Sequence, residues 1–251
     1  MKRLRFTYRM DLCFKQPVTD HYFALRCIPK SDEIQKIKIE KRQIDPADCL
    51  NESVDGFGNL LYTGQCFEPH YRFGYEITGE AEVNGMRERR EALHPVYKYA
   101  SAYTKPGEAL SAYLSNMTMW DGTLLESHLS DAASLQRFSL CAGKNKYLYD
   151  CGRSFCMREG VCQDFAHIMT ALCRMSGIPA RYVNGFMIGE GYTHAWVEIY
   201  TGQGWYGLDP TNNLHIDDYY IKLAHGRDYA DCIVDKGRFI GCGGQTQEIL
   251  V

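Results

Sequence analysis

A thiol, an imidazole and a carboxylate, the three groups that together suit nucleophilic acyl transfer, occur in the order Cys162, His194 and Asp209. Cys162 lies in Glu159-Gly-Val-Cys-Gln-Asp-Phe-Ala-His167, and the spacing of Phe165, Ile168, Met169, Leu172 and Met175 predicts a helix that opens near Cys162. Gly177 followed by Ile178-Pro179 ends it. A thiol in the first turn of a helix sits beside unpaired amide N–H groups and the positive end of the helix dipole, which favour the thiolate, the nucleophilic form. Cys173, deeper in the same helix, lacks that setting and reads as packing.

His194 opens a run to Tyr200 that alternates around Ala195, Val197 and Ile199. Thr201-Gly-Gln-Gly204 signals a turn, and the following run, Trp205 to Asp209, is stopped by Pro210. Folding this hairpin about Thr201 and Gly202 sets residue 200 against 203 and therefore His194 against Asp209. A slip of one or two residues leaves them diagonal neighbours. A carboxylate so placed fixes the imidazole tautomer and stabilises its protonated form. Spacing alone does not bring the helix start to this hairpin.

The elements that must hold these residues fall into two parts. From Leu4 to Phe14 the even positions are apolar and most odd ones polar, a half-buried strand that Gln16, Pro17 and Asp20 break before His21 to Ile28. Ile34 to Ile44 and the alternation of Tyr71, Phe73, Tyr75 and Ile77 add further strands, and Asp55-Gly-Phe-Gly-Asn59 reads as a hairpin loop. Short strands in succession predict a small all-β sandwich over residues 1–90. Past Asn84-Gly85 and the charged run Arg87 to Glu91, helical patterns at 107–116 and 124–140 come before the strands. Residues 91–251 are therefore expected to form an α+β catalytic domain, helices packed on an antiparallel sheet.

Composition narrows the function. With 251 residues, 45% hydrophobic and 24% charged, the chain is ordinary globular material, and a net charge of -3 with interspersed signs builds no field for nucleic acid or anionic membrane. Neither partner is expected. The opening residues do not follow a basic stretch with an apolar run, and no apolar stretch approaches the roughly 18 residues that span a bilayer. Eleven cysteines, an odd number, without a secretion signal read as reduced cytoplasmic thiols. The pairs Cys151 with Cys156 and Cys156 with Cys162 do not match zinc-knuckle gaps, and no cluster of oxygen ligands suggests calcium. No metal and no organic cofactor is expected.

The strings Gly-Val-Cys162-Gln-Asp-Phe-Ala-His, Gly177-Ile-Pro-Ala-Arg-Tyr-Val, His194-Ala-Trp-Val-Glu and Leu208-Asp209-Pro-Thr-Asn resemble the bacterial transglutaminase-like superfamily of candidate cysteine proteases. Gly226-Arg-Asp-Tyr-Ala-Asp231 and Gly241-Cys-Gly-Gly are similar to that family too. The strands of residues 1–90 with Phe57-Gly-Asn59 look like the β-sandwich that often precedes its core. The segment Asp150 to Cys156 departs from the pattern as a shorter lead-in to the cysteine. The resemblance implies a papain-like core in which the helix-start cysteine meets the histidine and aspartate on the neighbouring sheet. It also implies acyl transfer through a thioester on a protein or peptide substrate, with hydrolysis favoured over transfer to a lysine-type amine. The rival is a non-catalytic binding module on the same fold. Asp164, Gln163, Trp196, Arg227, Asp228 and Tyr229 are the candidates for lining the cleft or supporting the triad. Asp164 is also explained as a carboxylate favourable to a helix start, His167 as structural, and Arg227-Asp228 as a buried ion pair.

Overall fold

The computed structural model describes residues 1–85, 89–116, 139–140, 151–157 and 159–251. Its first strand, β1 (Lys2–Leu25), buries Phe6, Tyr8 and Met10 and exposes Arg3, Arg5 and Arg9. It does not break at Gln16-Pro17. The register with its neighbour shifts between Cys13 and Val18, so the proline falls in an irregularity that bends one continuous strand. The first half of β1 pairs with β5 (His70–Val83) and β14 (Gln245–Leu250), and the second half with β4 (Leu60–Cys66) and β13 (Asp235–Ile240). Outer strands β2 (Gln35–Asp45) and β3 (Cys49–Val54) complete a curled antiparallel sheet on β5 and β4. Aromatic rings from its two halves meet inside it, with Phe23 and Phe73 centroids 4.7 Å apart. Asp55 to Asn59 is the expected hairpin loop, in which Oδ1 of Asp55 accepts from the N–H groups of Phe57 and Asn59, and Gly58 takes a positive φ of 88°.

Residues 235–250 thus lie in one sheet with residues 2–25, although helices and the five strands of a second sheet lie between them in the chain. Those other strands form the second sheet, in the order β11 (Leu214–His215), β10 (Trp205–Asp209), β9 (His194–Tyr200), β8 (Ala180–Met187), β12 (Tyr220–Gly226), all antiparallel. The pattern at 107–116 is helix α1 (Glu108–Asn116). The helix expected at 124–140 lies outside the described residues except at β6 (Ser139–Leu140), which is strand and pairs in parallel with β7 (Glu159–Gly160). The lead-in to the cysteine is helix α2 (Cys151–Met157), followed by α3 (Cys162–Met175).

Helix α3 is buried on two sides. Ala166 and Met169 join the main core with Tyr182, Ala195, Val197 and Leu208 of the second sheet, while Phe165, Ile168 and Ala171 pack with Leu110 of α1 and Cys151 of α2. The main core runs on without interruption into the first sheet, where Tyr8 stacks edge-on against Phe186 at 5.2 Å. No helix among the described residues is long and apolar enough to cross a membrane.

Polar contacts reinforce the junction between the sheets. Strand β12 has β8 on one side only, and on its other edge two side-chain amides take the place of a strand. Gln35 donates to the Lys222 carbonyl at 2.9 Å and accepts from its N–H at 2.9 Å, and Asn59 does the same to His225 at 2.8 and 2.8 Å. The register of β12 against β8 slips between Lys222 and Ala224, so the two amides flank a bulge. Replacing Asn59 with Ala leaves a buried N–H and a buried carbonyl of His225 without partners. Urea unfolding is expected to report a loss of about 2–4 kcal/mol for Asn59→Ala, and a loss within error of zero would mean that water replaces the amide.

Candidate active site

Cys162 is the first residue of α3, and extended Val161 precedes it. Two contacts of Asp164 hold this helix start: Oδ2 accepts from the Val161 N–H at 2.8 Å and Oδ1 from the Ser154 hydroxyl at 2.8 Å. The carboxylate therefore caps its own helix and ties it to α2, matching the helix dipole as it does so. Gln163, the next residue in the helix, is half-buried. Cys173 differs from Cys162 in setting, since burial pushes its thiol up to about 12.

His194 begins β9, and its Nε2 lies 2.8 Å from Oδ2 of Asp209, the last residue of β10. The hairpin between them differs from the expected one. Trp205 pairs with Tyr200 and Leu208 with Val197, so Asp209 is level with Trp196 and reaches His194 diagonally. The reason is a four-residue loop, closed by the Thr201 N–H on the Gly204 carbonyl, which puts the Tyr200 and Trp205 rings 5.3 Å apart. Cys162 is the second hydrogen-bond partner of the His194 side chain, and thus the helix start, the strand start and the strand end converge.

The electrostatics favour a protonated imidazole. Burial opposes charge on His194, but hydrogen bonds to Asp209 and Cys162, with their negative charge, outweigh it and raise its pKa to about 9. Asp209 is held below the usual carboxylate range although burial works against it. Its Oδ2 accepts from His194, from Asn212 Nδ2 at 2.8 Å and from the Tyr220 hydroxyl at 2.9 Å, and its Oδ1 from the N–H groups of Thr211 and Asn212 at 2.9 and 3.2 Å. Among the described residues no group of three or more His, Cys, Asp or Glu side chains is arranged to hold a metal ion, and ten cysteines there are free thiols.

The other expected residues divide. Trp196 lies two residues beyond His194, buried edge-on against Tyr220 at 5.6 Å, and its indole N–H has no hydrogen-bond partner. Arg227, Asp228 and Tyr229 follow β12 and lead into a 3-10 turn. Asp228 is buried and caps a 3-10 turn by accepting from Ala230 N–H at 2.9 Å, and it also accepts from the Tyr103 N–H at 3.1 Å. It does not form an ion pair with Arg227. The arginine pairs instead with Asp231 at 2.8 Å, in a half-exposed position. The Tyr229 N–H donates to Nε2 of His167, which burial pulls down to about 4 and so keeps neutral.

Two residues that shape the site carried little signal in the sequence. Asn212 stands three residues after Asp209 in Asp-Pro-Thr-Asn, a pattern that by itself indicates an aspartate capping the following turn. Tyr220 arrives from β12, on the far side of β8 from His194, and no local pattern places it there.

Residues 142–210 match the core of the transglutaminase-like superfamily, and residues 4–82 match the bacterial transglutaminase-like N-terminal region. An uncharacterized protein of Mycobacterium leprae (strain TN) is 42% identical over 292 aligned positions, which cover 100% of this chain and 98% of the relative. The solved structure of a candidate cysteine protease from Cytophaga hutchinsonii matches in fold with a TM-score of 0.76 at 20% identity, covering 100% of this chain and 91% of the other. A protein-glutamine gamma-glutamyltransferase of Pseudomonas aeruginosa is 37% identical over 82 residues, 28% of this chain and 11% of its own length.

The raised pKa of His194 fixes a sign. Its proton is held more tightly in the folded than in the unfolded chain, so the stability it contributes is complete below about pH 6.5 and is lost as pH rises through about 9. NMR titration of the imidazole is expected to give a midpoint near 9 in the wild type, and a midpoint displaced toward about 6.5 in Asp209→Asn. An unchanged midpoint in Asp209→Asn would show that the carboxylate does not act on the ring.

Proposed function

The chain belongs to the transglutaminase-like superfamily, and from that premise we propose that it is a cysteine peptidase or amidase, which hydrolyses peptide, isopeptide or related amide bonds through a thioester on Cys162. The observation that carries this reading is the convergence of Cys162, at a helix start, with the His194–Asp209 pair, whose nitrogen and oxygen are 2.8 Å apart. Each residue then has one task. The Cys162 thiolate attacks the carbonyl carbon, and the carbonyl oxygen takes up the negative charge, to which the Cys162 N–H can donate. When the tetrahedral centre collapses, the C–N bond breaks and His194 gives its proton to the departing amine. Water then attacks the thioester while His194 takes one of its protons, the carboxylic acid leaves, and the thiolate with its imidazolium is regenerated. Asp209 keeps the imidazole in one tautomer and orientation throughout.

The preference for water over an amine acceptor comes from resemblance to candidate proteases. Similarity to a segment of a Pseudomonas aeruginosa protein-glutamine gamma-glutamyltransferase supports a second reading, in which an amine takes the place of water and Cys162, His194 and Asp209 keep their roles. A protein or peptide supplies the acyl group in either case.

The test begins with the thiol. Iodoacetamide labelling at about pH 6.5, located by peptide mass spectrometry, is expected to modify Cys162 at least tenfold faster than the other cysteines, and His194→Ala to remove most of that advantage. Acyl transfer from glutamine- and lysine-containing peptides, with and without an added primary amine, then separates hydrolysis from transamidation. Labelling of Cys162 no faster than the rest would instead support a binding module on this fold.

A further inference from the structure

Tyr220 reaches the site from β12, which carries none of Cys162, His194 and Asp209. It is buried, and it touches both members of the pair: its hydroxyl donates to Oδ2 of Asp209 at 2.9 Å, and its ring lies 6.2 Å from the imidazole, centre to centre. Asn212 Nδ2 donates to the same oxygen at 2.8 Å, so Oδ2 is shared among three donors, of which His194 is one. Each additional donor draws charge from the oxygen and makes it a weaker acceptor for the imidazolium proton. That matters for a residue that must release this proton to a leaving amine and then recover it.

We propose that Tyr220 is a positioning residue of this active site, acting on His194 through Asp209 by sharing Oδ2 and so limiting how strongly the carboxylate retains the imidazolium proton. The inference rests on the reading of His194 as the acid and base of the site, but it concerns the His194–Asp209 pair itself and is measured without substrate. The phenol can play this part over a wide pH range because burial and the charge of Asp209 both keep it protonated. The titratable groups facing the pair are Cys162 from α3 and Tyr220 from β12, with Asp217 acting on Tyr220 from the loop before that strand.

The two readings of Tyr220 predict shifts of opposite sign. If it shares the charge of Oδ2, removing its hydroxyl concentrates that charge on the bond to His194 and raises the imidazole midpoint. If it only packs, its loss loosens the pair and the midpoint falls or stays. The experiment is NMR titration of protein labelled with 13C in its histidine rings, with His194 assigned among the eight histidines from the spectrum of His194→Gln. Tyr220→Phe is expected to raise the midpoint by about 0.5–1 pH unit, with thermal unfolding run alongside to confirm that the variant is folded. Asn212→Ala removes the other shared donor and is expected to shift it in the same direction, so the inference stays testable if Tyr220→Phe does not fold. A midpoint that is unmoved or lowered in the folded variants overturns it. Inert Cys162 in the wild type would remove the acyl-transfer reading but leave a raised midpoint standing, whereas reactive Cys162 with an unmoved midpoint would remove only the role given to Tyr220.

Discussion

A carboxylate that is 2% exposed, as Asp209 is, must find within the protein the hydrogen bonds it would otherwise make to water, or take up a proton. Asp209 finds them in three places: the turn that follows it in sequence, strand β12 two strands beyond β9, and the imidazole on β9. The arrangement of the site follows from that requirement. Pro210 ends the strand so that the Thr211 and Asn212 N–H groups fold back onto Oδ1, and the second oxygen is left pointing across the sheet at His194. Cys162, at the start of α3, is the other hydrogen-bond partner of the same imidazole. The hydrogen bond to Asp209 thus fixes the orientation of the imidazole that the thiol meets.

The first sheet contributes to this without supplying any of the three residues. Strand β12 would otherwise be a free edge, and Gln35 and Asn59 satisfy its outer N–H and carbonyl groups from the first sheet and its hairpin loop. Tyr220 stands two residues before Lys222, the first of the two residues so held. At the opposite end, Val251, just after β14, exchanges two backbone hydrogen bonds with Gly191, in the loop that leads into His194. The sheet therefore grips the second one both at the strand that carries the phenol and at the loop that carries the imidazole. A single continuous core beneath these contacts makes the two sheets one mechanical unit.

What the sequence discloses and what it conceals divide along the range of the interactions. The helix of Cys162, the strand of His194 and the stop at Pro210 are written in local periodicity and in breakers, and they are legible. The His194–Asp209 contact was reachable because a hairpin constrains its own register, although the loop proved two residues longer than the tightest turn and the contact is diagonal. Gln16-Pro17 misled in the other direction: a proline that signals a break can be absorbed in an irregularity when the flanking residues find partners on both sides. The return of residues 235–250 to β1 and the arrival of Tyr220 at Asp209 bring together residues remote from one another in the chain or in the sheet. Neither depends on any pattern shorter than the fold itself. Arg227-Asp228 is a related case, since neighbours of opposite charge suggest a pair while the geometry of the 3-10 turn gives the arginine to Asp231 instead.

Strand β9 carries a second buried charge on the face of His194, and its compensation bears on the imidazole. Glu198, 3% exposed, accepts from Arg181 at 2.7 Å, Lys222 at 2.7 Å and Arg89 at 3.1 Å. Arg181 also pairs with Glu91 at 2.5 Å, and Arg89 with Asp32 in the connection between β1 and β2. With Lys222 protonated, three cations and three carboxylates cancel in formal charge, and burial pulls the Lys222 ammonium down to about 7. Four residues along a strand separate Glu198 from His194, about 13 Å, and at an effective dielectric near 20 a single uncancelled charge there would act on the imidazolium with about 1 kcal/mol. Three uncancelled cations would be enough to erase much of what Asp209 supplies. The balance of the cluster lets Asp209 and Cys162 govern the protonation of His194 even though arginines and a lysine are buried in the same sheet.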